Sequence, residues 1–182
     1  MKLSFLFSLI YVSSLFAQTA AIKKNLDEMF FKVPLNAAKF EVRTMLHSSE
    51  NFFNISDFDE INKAISSDFK ENYKFTYLTN CCRIVFWFEN DNSNGRKISI
   101  DYSENELSKC IKQYEELKSI FGKISYAPYE YKTVNFKNEE AGIAINYKSK
   151  PNAKKPYIFI SYRYFDQSKR YHLEVQIYEE DI

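Results

Sequence analysis

The chain predicts an α+β fold, with amphipathic helices packed on one face of an antiparallel sheet. Three observations carry that prediction. Apolar residues recur at helical spacing in the first quarter and again over 104–121, whereas most of the remainder alternates apolar with polar. Short polar segments separate the alternating runs, as hairpin connections do. Only 3 Gly and 4 Pro interrupt 182 residues of which 18% are aromatic, the reverse of a disordered composition.

Ile22, Leu26, Met29 and Phe30 stand at i, i+4, i+7 and i+8, so a first helix is expected over 22–32, broken by Pro34. Asn36 is the expected cap of a second, reaching about His47, with Phe40, Val42, Met45 and Leu46 on its apolar side. Ser56, followed by Asp59, would cap a short third helix bearing Phe58, Ile61 and Ile65.

From Tyr73 the period becomes two. Tyr73, Phe75 and Tyr77 alternate with Lys74, Thr76 and Leu78. Over 82–88, Cys82, Ile84, Phe86 and Phe88 share one face, and Arg83, Val85 and Trp87 share the other. Turn chemistry over 89–95 returns the chain as a strand over 96–102, completing an antiparallel meander.

The best-specified element is a helix over 104–121. Ser103 and Glu106 make a capping box, and Leu107, Cys110, Ile111, Tyr114, Leu117 and Phe121 trace one stripe. Lys118 and Lys123 suit its negative end, and Gly122 stands where a C′ residue would. Strands follow at about 126–135, 141–148, 157–165 and 170–178. In the last, Tyr171, Leu173, Val175 and Ile177 face one way and His172, Glu174, Gln176 and Tyr178 the other. Alternation of this kind covers a core on one side only, so the helices belong on that side.

Helices then strands, followed by helix then strands, point to two tandem α-then-β units, 18–102 and 103–182, within one domain. In outline the order resembles the β-lactamase inhibitory protein family and the small lipoproteins of outer-membrane assembly. The segment from Pro34 through Asn36, Phe40 and Val42 to Leu46 is similar to their second helix, without the glycine that usually precedes it. The resemblance implies a helix-loop-helix ahead of antiparallel strands. It implies no function.

The N-terminus bears on location. Lys2, the apolar run from Leu3 to Phe16 and the small Ala17 have the layout of a secretory signal peptide over 1–17, and the run is too short to span a bilayer. Removing it takes Lys2 from the 25 basic residues and leaves 24 against 24 acidic ones, so the domain over 18–182 is formally neutral. That balance lacks the basic footprint of a nucleic-acid binder. No membrane span is expected in it, and its expected location is secreted or periplasmic.

Cys81, Cys82 and Cys110 are odd in number, which an oxidising compartment leaves with one free or intermolecular thiol. One intrachain pairing is Cys82 with Cys110; the alternative is three buried thiols. Cys81-Cys82 lacks the C-x-x-C spacing of a redox pair. His47 and His172 are the only histidines and give no zinc spacing, so neither metal nor cofactor is expected. Asp91 among Asn90, Asn92 and Asn94 lacks the calcium-loop pattern and reads as a solvated hairpin. Asn54-Ile55-Ser56 is a glycosylation sequon, meaningful only in a eukaryotic secretory route.

Candidate catalytic residues reduce to His172 with Glu174, two apart on one strand face, with Arg163 on the neighbouring strand as an anion clamp. An ordinary solvated face is the competing reading. Trp87, beside Val85 and opposite the Ile84/Phe86 face, belongs either to the core or to an exposed binding patch. Tyr162, Arg163 and Trp87 are the residue types that anchor interfaces. The leading expectation is therefore a non-catalytic module that binds a protein or cell-surface ligand. The alternatives are a hydrolase of cell-wall or surface polymers and an envelope-assembly or structural protein.

Overall fold

In a computed structural model, residues 17–58, 64–88, 95–135, 137 and 139–178 are described. The expected signal segment up to residue 16 and the loop holding Asp91 lie outside them. Helix α1 runs over 17–29 and α2 over Lys39–Ser48, followed by strands β1 (Phe52–Phe58), β2 (Ala64–Tyr73), β3 (Cys81–Trp87) and β4 (Gly95–Ser103). A 3-10 turn, Glu104–Glu106, leads into α3 (Leu107–Phe121), and then come β5 (Tyr126–Val134), β6 (Glu140–Lys148), β7 (Ile158–Phe165) and β8 (Arg170–Tyr178).

The eight strands form one antiparallel sheet in the order β1-β2-β3-β4-β8-β7-β6-β5. Two four-stranded meanders thus meet where β4 pairs with β8, in unbroken register from Gly95↔Tyr178 to Ser103↔Arg170. Helices precede each meander, which is the α+β arrangement the sequence predicts.

All three helices contribute to the core on one face. Ile22, Leu26 and Met29 of α1, Val42 and Leu46 of α2, and Cys110, Tyr114, Leu117 and Phe121 of α3 are buried. Beneath them lie Ile84 and Phe86 of β3, Ile98 and Ile100 of β4, Ile158 and Ile160 of β7, and Leu173, Val175 and Ile177 of β8. Each large side chain so buried is worth about 1.5–3 kcal/mol of transfer free energy. Among the described residues, no helix is long and apolar enough to cross a membrane.

α3 is fastened at several points. The Ser103 backbone N–H and hydroxyl donate to Glu106 Oε2 at 3.0 and 2.9 Å. Tyr114 Oη donates to Glu130 Oε1 at 2.9 Å, and Lys118 Nζ reaches both oxygens of that carboxylate at 2.9 Å, joining α3 to edge strand β5. Gly122 ends α3 at φ −58°, an ordinary helical value rather than the left-handed one expected, so its freedom at positive φ is unused. Glycine is required at Gly142 of β6 for another reason: a Cβ there would lie 2.0 Å from the Tyr162 carbonyl oxygen.

The first unit departs from expectation at three places. α2 starts at Lys39 because Pro34 to Ala37 form a turn, with Ala37 N–H donating to the Pro34 carbonyl; Asn36 lies inside that turn and caps nothing. Glu41 accepts from the Ala38 N–H at 2.8 Å instead. Val42 and Leu46 then face the core, and Phe40, about 200° around the axis from Val42, is exposed.

The expected third helix is replaced by β1 and β2, which contain Phe58 and Ile65; residues 59–63 between them are not described. Apolar spacing of three and four residues suited a helix there, but Phe52, Phe53 and Ile55 favour a strand, and pairing with β3 supplies the partner. The alternation over 73–78 is no strand either. β2 ends at Tyr73, and the chain turns, Phe75 N–H donating to the Leu78 carbonyl. Tyr73 and Phe75 join Phe31, Phe52 and Phe69 in an aromatic cluster, and that packing produces the pattern.

Candidate functional site

With the helices on one face, strands β2, β3, β4 and β8 present their other face uncovered by any of the described residues. There they form a groove of about 1050 Å³ whose wall includes Phe53, Lys70, Lys74, Arg83, Asp101 and His172. Most of its polar groups arise from strand periodicity, while Lys74 and Asn80 come from the turn between β2 and β3. Lys97, Ser99 and Asp101 alternate with buried Ile98 and Ile100 on β4, and β4–β8 register sets Lys97 opposite Gln176, Ser99 opposite Glu174 and Asp101 opposite His172.

Among the described residues, four contacts at ion-pair distance line or border this face. Arg83 Nε donates to Asp68 Oδ1 at 2.7 Å, and this contact raises the guanidinium's pKa further. Lys97 Nζ donates to Glu174 Oε1 at 3.0 Å, while Gln176 Nε2 donates to Glu174 Oε2 at 3.0 Å. His172 Nδ1 stands 2.7 Å from Asp101 Oδ1, and Arg170 Nη1 stands 3.9 Å from Oδ2. Burial alone would raise the Asp101 carboxyl, but the His172 contact and the nearby Arg170 charge hold it below its ordinary value. The His172–Asp101 contact has ion-pair distance without hydrogen-bond direction, leaving Oδ1 with no well-aligned donor. On the far side of the imidazole, Ser168 Oγ lies 3.4 Å from Nε2.

The predicted site residues separate into two groups. His172, Glu174 and Arg163 share the open face: Arg163 is paired in register with His172, and its guanidinium stacks 4.3 Å over the Phe165 ring. Glu174, however, is held by Lys97 and Gln176, and the acid beside His172 is Asp101. Trp87 is half-buried at the end of the same face, packed near Gly95 with Lys97 Nζ 5.4 Å over its ring.

Tyr162 does not belong with them. Strand alternation turns it to the helix side, where it is buried edge-to-face against Tyr114 at 5.3 Å between ring centres. It is a core residue.

The Cys82–Cys110 pairing is also corrected. A bulge between Cys81 and Arg83 reverses the expected orientation, placing Cys81 in the core and Cys82 at the groove, where its thiol donates to the Ser99 carbonyl. Cys110 faces the core from α3, so the sheet separates the two, and all three thiols are free. Burial pushes each thiol up to about 12, for Cys82 with a further push from Asp101.

Asp101, Lys97, Asp68 and Ser168 were not singled out from the sequence. The alternation of Lys97, Ser99 and Asp101 was legible; that β4 lies beside β8 rather than β5 was not.

Comparison with protein-family models, with curated proteins and with solved structures gives no match. The outline shared with the β-lactamase inhibitory protein family therefore rests on element order alone. What fold and groove define is a class: an α+β protein with one helix-covered sheet face and one open, groove-bearing face.

Proposed function

We propose that this protein is a non-catalytic, extracytoplasmic binding module that holds a protein or cell-surface ligand against the open face of its sheet. One observation carries the reading: a groove of about 1050 Å³ on a face left uncovered by all three helices. Phe53, 42% exposed, stands at the groove, and Trp87 lies beyond Lys97 at its margin. Aromatic anchors beside charged side chains are the composition of an interface centre and its rim. The signal-peptide layout of residues 1–17 is what supports the location.

The test is capture of a partner by the purified protein, compared with Phe53→Ala/Trp87→Ala and with a control altered on the helix side. Loss of the partner by the first variant, with its circular dichroism unchanged, is expected. A folded variant that keeps every partner sinks the reading.

A second reading, hydrolysis of an ester or polymer bond, is favoured by the Ser168–His172–Asp101 line. Ser168 would attack a carbonyl and pass its proton to His172 Nε2, which would return it to the leaving group. The 3.4 Å separation and the poorly directed Asp101 contact rank it second. Labelling by a fluorophosphonate that disappears in Ser168→Ala is its signature; absence of any label removes it.

A further inference from the structure

Charge on the open face is not the zero that the expected mature chain carries. Among the described residues, Lys70, Lys74, Arg83, Lys97, Arg163 and Arg170 stand on or border this face, against Asp68, Asp101 and Glu174 on it and Asp166 in the small pocket that Arg163 lines at its edge. Asp68, Asp101 and Glu174 are already engaged, by Arg83, by His172 with Arg170, and by Lys97. Lys70, Lys74 and Arg163 have no ion-pair partner among the described residues, and all three are exposed. Phe165, rather than an acid, lies under Arg163.

Resting on the binding reading above, we infer that the open face takes an acidic segment of a partner protein, whose carboxylates meet Lys70 and Lys74 in the groove and Arg163 beyond it on β7, the strand next to His172. Four strand spacings separate β2 from β7 in the sheet order, about 19 Å at ~4.8 Å each. An extended segment of roughly six residues covers that span. A uniformly anionic polymer, nucleic acid or acidic glycan, would bring its charges onto Asp101 and Glu174, which lie on β4 and β8 between the free cations. A protein segment avoids this by placing acids at its ends and neutral or apolar residues between. Phe53 then meets an apolar side chain of the partner, and like-charge juxtaposition excludes basic partners.

The probes are three fluorescein-labelled molecules read by anisotropy: a twelve-residue peptide with glutamates at both ends and leucine and serine between, its lysine counterpart, and a twenty-nucleotide oligo-dT. The acidic peptide is expected to bind most tightly and to weaken on raising NaCl from 50 to 300 mM. Lys70→Glu/Lys74→Glu should weaken it by about tenfold or more, ~1.4 kcal/mol, and Arg163→Glu by a smaller factor. Equal binding of the two peptides, or tighter binding of oligo-dT, overturns the inference.

The two readings fail separately. A captured partner lost by Phe53→Ala/Trp87→Ala but kept by Lys70→Glu/Lys74→Glu overturns the acidic segment alone. A partner kept by both variants overturns the binding face itself.

Discussion

The two faces of β4 and β8 are made from alternate residues of the same eighteen positions, yet they do different work. On the covered face Ile98, Ile100, Leu173 and Val175 are almost wholly buried. On the open face Lys97, Asp101, His172 and Glu174 pair with one another across the register and keep contact with water. The covered face supplies stability, because apolar area removed from water is the dominant favourable term. The open face supplies less, since its half-buried ion pairs return only part of the cost of taking their charges out of water. A protein that concentrates stability on one side leaves the other free to carry partner-specific chemistry.

Substitutions can break that division. The largest effect is expected on the covered face: Phe121→Ala, at a fully buried position, should cost about 3–5 kcal/mol in urea unfolding, the cost of lost transfer plus a cavity. Next comes Arg96, the exception on that face. Its guanidinium is fully buried with no acid paired to it among the described residues, and burial brings its pKa down to about 10. It donates to the carbonyls of Trp87, Gly95, Pro34 and Leu35 and lies near the Phe86 and Phe88 rings. Arg96→Met fills similar space but orphans those carbonyls, and a loss of about 2–4 kcal/mol is expected. An unchanged midpoint would show that the α1–α2 connection needs no such pin.

The open face should respond weakly in stability. Glu174→Gln is expected to cost about 1 kcal/mol, because the half-buried pair keeps contact with water and the Gln carbonyl can still accept from Lys97. Asp101 sharpens the comparison through pH. Its folded pKa is depressed, so it contributes stability above its unfolded value, near 3.8, and that contribution disappears as pH falls through the folded value. Asp101→Asn should therefore lower stability modestly at pH 7 and flatten the acid side of the profile, the two proteins converging as pH falls through the folded value.

The smallest expected signal is chemical. With every thiol raised to about 12, iodoacetamide at pH 7 should label native protein slowly and all three cysteines quickly in urea. A Cys82–Cys110 peptide in a nonreducing digest would contradict the sheet lying between them.

Legibility differed between the two units for a physical reason. From Ser103 onward the cap, the stripe of α3 and four clean alternations identify every element within about two residues, and β8 spans Arg170–Tyr178 as expected. In 49–80 the pattern is degraded by a bulge between Phe53 and Ser56 and by aromatics gathered into a cluster by tertiary packing, so a strand pair resembled a helix and a turn resembled a strand. The candidate site was half legible. His172, Glu174 and Arg163 were visible as one face, whereas Asp101 and Lys97 join them only through pairing of residues some 70 positions apart.

Local periodicity alone determined the fold class, the faces of β4 and β8 and the best helix, because side-chain direction along a strand or helix follows from backbone geometry that neighbours in sequence share. Tertiary structure decided which strands lie side by side, on which side Cys82 and Tyr162 emerge, and where the unpaired cations gather. Those depend on long-range register and on bulges, whose energies come from contacts between residues that the order of the chain keeps far apart.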